Sequence, residues 1–131
     1  MEPTLRVQER YVVDKVVYKE SVPQRWDIVL LEFEYSGENI RRFSRIVGLP
    51  NESIHLKHGV IVINGKVEDS PRFAERQKFG AKGRGFGVLE PITLNEGEYF
   101  VLGDNYVDGL DSRYFGPVRA KSLVGKLLPE E

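Results

Sequence analysis

Apolar and polar positions along this chain follow the two-residue period of strands far more than the 3.6-residue period of helices. Tyr11 to Tyr18 is dense in β-branched and aromatic residues and predicts a strand. Asp27 to Tyr35 predicts a second strand, Ser36 to Asn39 a turn, and Ile40 to Val47 the returning strand of a hairpin. Ser53 to Lys57 and Val60 to Ile63 flank a His58-Gly59 turn. Asn64-Gly65 is the strongest hairpin cue, because both central residues of a type I′ turn need positive φ. Gly97 to Leu102 predicts a further strand, and Ala120 to Gly125 fits either one helical turn or a final strand. No stretch sustains a helical face and no internal repeat is visible. The pattern predicts a mainly β fold of antiparallel sheets and hairpins with little helix, as a single domain over residues 1–131.

One segment breaks the pattern. From Arg72 to Gly87 the apolar alternation stops, and Arg72, Arg76, Lys78, Lys82 and Arg84 stand against Glu75 alone, among four glycines. This predicts a solvated basic loop at about 72–87. A basic arm toward anionic headgroups or a partner is the sharper alternative. Gly83 to Gly87 lacks the preceding strand and following helix of a phosphate-binding loop, so a nucleotide site is not expected.

Composition narrows the chemistry. A net charge of −1 gives no general attraction to nucleic acid, and none is expected as a partner. With no cysteine there is no disulfide, no thiolate nucleophile and no Cys-ligated zinc. His55 and His58, three apart, point to different faces of a strand, so metal ligation is not expected, and no cofactor is. No window approaches 18 consecutive apolar residues, and no secretory signal opens the sequence.

The chemistry-bearing stretch is Gly103 to Gly116, which follows the apolar run Tyr99 to Leu102 and carries Asp104, Asp108, Asp111 and Arg113. Charges at the end of a buried strand are costly unless they pair, so this segment reads as a site or its support. It resembles the GDNxxxSxDSR box of the type I signal peptidases (peptidase family S26). Four more blocks follow that family's order: Met1 to Leu5 resembles S-M-x-P-T-L without its serine, and Glu9 to Tyr18 resembles DRVLVDKLVY. Arg25 to Val29 resembles R-G-D-I-V, and Arg45 to Glu52 resembles K-R-x-x-G-L-P-G-D.

The resemblance implies a serine hydroxyl that attacks the scissile carbonyl and a neutral lysine, its pKa lowered by burial, that takes the proton. It also implies secretory precursors cut after Ala-x-Ala, at the outer face of the cytoplasmic membrane, by an enzyme anchored through an N-terminal segment. Transferred position by position, the serine falls immediately before Met1, the lysine falls on Ser44, and the serine that orients the lysine falls on Gly109. No intact catalytic residue is therefore expected. Arg45, Asp104, Asp111 and Arg113 remain where the family has an interlocked charge cluster, and are expected to pair and be buried.

The leading expectation is a signal-peptidase-like domain without its Ser-Lys dyad that binds extended secretory or surface polypeptides, in a chaperone or assembly role. Met1, Pro3, Ile40, Arg42, Phe43 and Ser44 would line the peptide, which would add as a strand beside Ile40 to Ser44. Partners would be the signal-peptide region of secreted proteins and a membrane surface. The alternative is a shortened form of a working type I signal peptidase. Gln8, Trp26 and Asn51 stand where the family has glycine, which puts strain at three turns. Trp26 is expected either half-buried at a strand entry or in an aromatic surface with Phe43 and Tyr106.

Overall fold

Ile28–Tyr35 (β2) and Glu38–Gly48 (β3) form the longest antiparallel pair, in unbroken register from Ile28↔Arg45 to Tyr35↔Glu38. Their turn is Ser36-Gly37, at φ 51° and 79°, so both residues take the positive φ of a tight hairpin turn. The turn occupies two residues rather than the expected four, and β3 begins two residues earlier, at Glu38. The computed structural model describes residues 11–57, 60–67, 89–103 and 111–128.

Around this pair the chain builds two sheets. Val13–Asp14 (β1), Leu123–Leu127 (β10), β2, β3, Glu98–Leu102 (β8) and Val118–Arg119 (β9) lie in that order in the larger sheet. Lys66–Val67 (β6), Val60–Ile63 (β5), Ser53–Lys57 (β4) and Leu89–Thr93 (β7) form the smaller. All pairings are antiparallel. Asn64 and Gly65, at φ 51° and 82°, make the expected turn between β5 and β6. Pro91 sits on β7, which pairs with β4 alone among the described strands, and an edge position tolerates a residue without an N–H.

The apolar residues of β3 and β8 alternate between two cores. Val47, Phe100 and Leu102 join Ile54, Leu56, Ile61, Ile63 and Leu94 between the sheets. Ile46, Tyr99 and Val101 join Val29, Leu31, Val118 and Leu123 on the opposite face of the larger sheet. Strands buried on both faces read as continuous apolar runs, which is the pattern of Tyr99 to Leu102. Gly48 lets the sheets meet: a Cβ there would stand 2.7 Å from Ile54 Cδ1 and 2.9 Å from both Leu94 Cδ1 and Phe100 Cβ.

One strand expectation needs correction. Tyr11 to Tyr18 is not one strand: β1 spans only Val13–Asp14, and Val17–Glu20 (α1) forms a single helical turn. Asp14 Oδ1 accepts hydrogen bonds from the Val16 and Val17 amides at 2.9 and 3.1 Å, which turns the chain away from the sheet. Ala120 to Gly125 takes both of its alternatives, with a 3-10 turn over Ala120–Ser122 leading into β10. A second single-turn helix, Ser112–Phe115 (α2), was not signalled by periodicity. The His58-Gly59 turn and the basic loop at about 72–87 lie outside the described residues.

Strain sits where glycine was missed. Trp26 has φ 75° and Asn51 φ 68°, a region that costs most L-residues about 1–2 kcal/mol. Asn51, exposed and tolerant of this geometry, is expected to be neutral or to gain a few tenths of a kcal/mol on Asn51→Gly. Gly48→Ala is expected to destabilise by about 1–3 kcal/mol through overpacking between the sheets. Urea denaturation of the two variants checks both.

Candidate functional site

Ser44 lies on β3 opposite Val29, just before β3 begins to pair with β8 at Arg45↔Leu102. It is 1% exposed, and its Oγ has no hydrogen-bond partner among the described residues. Leaving a buried hydroxyl unpaired costs about 1–3 kcal/mol, so this atom needs a reason. Alternation along β3 puts Ser44, Arg42 and Ile40 on the face of the second core, opposite Val29, Leu31 and Phe33. Arg42 is exposed there and Ile40 half-buried. Phe43 turns to the other face, where its ring meets Tyr11 edge-on at 6.0 Å.

Among the described strands, the outer part of β3 has a neighbour on one side. Residues 38–44 pair with β2 on one side, and on the other side no described strand pairs with them, because the β8 pairing covers only Arg45 to Gly48. The ribbon is fastened near its tip. Phe33 and Tyr35 stack edge-on against Phe115 at 4.9 and 6.0 Å, and the Tyr35 hydroxyl donates to the Tyr114 carbonyl at 3.2 Å.

Of the four expected cluster residues, the structure joins Asp111 and Arg113. Asp111 is fully buried and accepts from the Arg113 amide (3.0 Å), Arg113 Nε (2.8 Å), Arg113 Nη2 (2.7 Å) and the Gly103 amide (3.1 Å). It also caps α2. The next residue, Ser112, is buried and accepts the Val101 amide at 2.9 Å, so the side chains at 111 and 112 satisfy amides of β8 and Gly103 beyond the reach of β9. Arg45, 4% exposed, lies on the face opposite Ser44, and its Nη1 donates to the Trp26 carbonyl at 3.0 Å. Asp104, Gly109, Met1, Pro3, Gln8, Tyr106 and His58 lie outside the described residues.

Trp26 matches the half-buried strand-entry alternative, and Tyr106, a member of the other, lies outside the described residues. Trp26 is half-buried against the core between the sheets, its amide donating to the Ile46 carbonyl at 2.7 Å, while Phe43 meets Tyr11. Among the described residues no group of His, Asp and Glu is arranged to hold a metal ion. No helix among them is long and apolar enough to cross a membrane.

The sequence reading gave no role to a second ion pair, Arg25 with Glu52. Arg25 Nη1 and Nη2 donate to Glu52 Oε1 and Oε2 at 2.9 and 2.6 Å, and Nη1 also reaches the Val47 carbonyl at 2.9 Å. Glu52 Oε1 further accepts the Leu49 amide at 2.7 Å, which clamps the turn after β3 to the entry of β2. Burial pushes the Glu52 carboxyl up, but the Arg25 hydrogen bonds and charge and the Leu49 amide outweigh it, and it lies below its ordinary value. A third polar knot joins Tyr18, Asp27 and Lys126: the Tyr18 hydroxyl donates to Asp27 at 2.8 Å, and Lys126 lies 3.4 Å from it. Burial first, then the Asp27 carboxylate, drives the Tyr18 hydroxyl far above its usual range. Opposite charges flanking two turns, Arg25 and Glu52, were the available signal for the clamp.

Asp111→Ala removes the buried acceptor of two Arg113 side-chain nitrogens and two backbone amides, and is expected to destabilise the domain by about 3–5 kcal/mol. A thermal melt within a degree or two of the parent refutes that role. Because the folded Glu52 carboxyl is depressed, its stabilisation is complete above pH of about 4.3 and disappears as pH falls through the lower folded value. Denaturation of the parent and Glu52→Gln is therefore expected to show a gap at pH 6 that closes toward pH 3.

Residues 1–128 match the family described as signal peptidase, peptidase S26. Signal peptidase I V of Bacillus subtilis (strain 168) is 31% identical over 137 residues, covering 100% of this chain and 80% of the relative. Signal peptidase I S of the same organism is 37% identical over 117 residues, covering 86% of this chain and 61% of the relative, so the chain spans less than two-thirds of that protein. A crystal structure of a signal peptidase I from Enterococcus faecalis V583 superposes with a TM-score of 0.65 at 30% identity, over 82% of this chain and 98% of that one. Its β architecture is that of the sheets described above. The chain belongs to the signal peptidase I family, peptidase S26.

Proposed function

We propose that this chain is a signal peptidase I-type domain that holds extended secretory or surface polypeptides without cutting them, in a chaperone or assembly role. The observation that carries the reading is Ser44, a buried serine at the position where the family resemblance puts the general-base lysine. A serine hydroxyl is a very weak base near neutral pH, and efficient proton transfer needs a group whose pKa lies near the working pH. Gly109, at the position of the lysine's orienting serine, carries no side chain to replace what Ser44 lacks.

Binding survives this loss because it draws on different parts. The β3 edge from residue 38 to 44 offers backbone donors and acceptors to an added strand, and strand addition takes its affinity from those groups. Ser44 Oγ, at the inner end of that edge, would gain a partner from the backbone of the bound segment. On this reading the domain works at the outer face of the cytoplasmic membrane, where signal-peptide regions emerge.

A working signal peptidase cleaving after Ala-x-Ala is the second reading, favoured by the named relatives, one of which covers the whole chain. It requires a base other than Ser44.

Incubation with a preprotein carrying an Ala-x-Ala site separates the two, with no cleavage expected. Titration with a signal-peptide mimic is expected to change the fluorescence of Trp26, the chain's one tryptophan, whose carbonyl binds the residue after Ser44. No saturable change up to millimolar peptide removes the binding reading. Ser44→Ala is expected to raise stability by about 1 kcal/mol while weakening the mimic's affinity, a stability–function exchange read by melting and by the same titration.

A further inference from the structure

The turn that enters β8 and the end of β9 enclose an open cavity of about 400 Å³. It lies at the end of β8 away from Leu102, the residue that pairs with Arg45, so it is separate from the Ser44 region. Asn95 to Glu98 form one wall, and Arg119 to Lys121 form the other. Both walls are held by hydrogen bonds of their own. The Glu98 amide donates to the Asn95 carbonyl at 3.1 Å and Gly97 takes φ 75°, as a type II turn requires. Glu98 Oε1 closes the same turn by accepting the Asn95 amide at 2.7 Å. The Ala120 amide donates to the Gly97 carbonyl at 2.9 Å and ties one wall to the other.

The charges around this cavity are kept apart. Glu98 stands opposite Arg119 in register, a placement that brings side chains within about 4.5–5.5 Å, Cβ to Cβ. Opposite charges so placed commonly pair, yet here Glu98 turns back to the Asn95 amide. Among the described residues Arg119, Lys121 and Glu96 take part in no ion pair. All three are exposed, so water solvates them and none is individually strained. Their arrangement is the informative feature: two cations on one wall, two acids on the other, and a fixed backbone between.

We infer that this cavity binds a small zwitterion, an oxyanion and an ammonium joined by a few bonds, as in a free amino acid or a phosphoethanolamine group. The oxyanion meets the Arg119 guanidinium, whose planar fork suits two oxygens, and the Lys121 ammonium. The ligand's ammonium meets Glu96 and the Glu98 carboxylate. A simple anion would be attracted by one wall and repelled by the other, and a simple cation likewise. A ligand carrying both charges satisfies both walls at once. The volume lies in the range of small-molecule sites, about 300–1,000 Å³. Neither Ser44 nor β3 contributes, so the inference goes beyond the peptide-binding reading and does not depend on it.

The test uses the whole chain, isotope-labelled, with the amide resonances of Gly97, Glu98, Ala120 and Lys121 as the readout and calorimetry for affinity. The probes are β-alanine and phosphoethanolamine, and the single-charge controls are acetate, inorganic phosphate and ethanolamine. At least one zwitterion is expected to shift these resonances saturably and to bind roughly tenfold tighter than every control, less so in high salt. Tighter binding of β-alanine assigns a carboxylate to the oxyanion position, and tighter binding of phosphoethanolamine assigns a phosphate. Arg119→Gln and Glu96→Gln each change one exposed side chain, and each is expected to weaken the preferred zwitterion by roughly tenfold. Circular dichroism confirms that both variants are folded. Absence of a saturable shift up to tens of millimolar overturns the inference. So does a control that binds as tightly as the zwitterions, or an affinity that either variant leaves unchanged. None of these outcomes bears on the signal-peptide mimic, whose titration is read separately.

Discussion

The outer half of the molecule depends on the Asp111 carboxylate. It is fully buried and gathers four donors, two from the Arg113 side chain and two from backbone amides. A carboxylate in that setting is tolerable only because each donor offsets part of its lost hydration. Three things follow from the one group: the end of β8 is satisfied without a neighbouring strand, α2 begins where it does, and Phe115 is delivered to Phe33 and Tyr35. The ribbon that carries the outer part of β3 is thus braced from a polar centre on a neighbouring segment.

The residues that brace this region and the residue at the position of the family's general base are held by different contacts. Asp111, Arg113 and Arg45 are held by contacts that stabilise the fold whether or not a bond is ever cut. Among the described residues the Ser44 hydroxyl has no partner, and an unpaired buried hydroxyl is a burden on the folded state. Selection for stability alone would retain the first three and remove the last.

Much of this was legible in the residues, and the parts that were not have identifiable causes. Hairpins at Ser36-Gly37 and Asn64-Gly65 announced themselves because few residues accept positive φ, and both turns adopt it. Tyr11 to Tyr18 misled because β-branched residues describe a preference, which the Asp14 side chain overrides by capturing two amides. β7 escaped notice because proline in a strand argues against it except at an edge, and sequence alone does not say which strands are edges. β9 and α2 are too short to establish a period. The Arg25–Glu52 clamp joins residues far apart in sequence, and only the docking of one turn on the other brings them together. Within the site, the burial of Asp111 and Arg113 was readable from charges packed against an apolar run. The opposite facing of Ser44 and Arg45 follows from strand alternation once the strand is known.

Trp26 carries a consequence for how the domain can change over time. Its backbone is held at a left-handed angle by the Ile46 carbonyl, while its ring packs into the core between the sheets. Glycine at position 26 would relax the angle and in the same step empty the space that the ring fills, so a loss would accompany the gain. Backbone comfort and core filling are set against each other at the doorway of β2, and one residue cannot serve both.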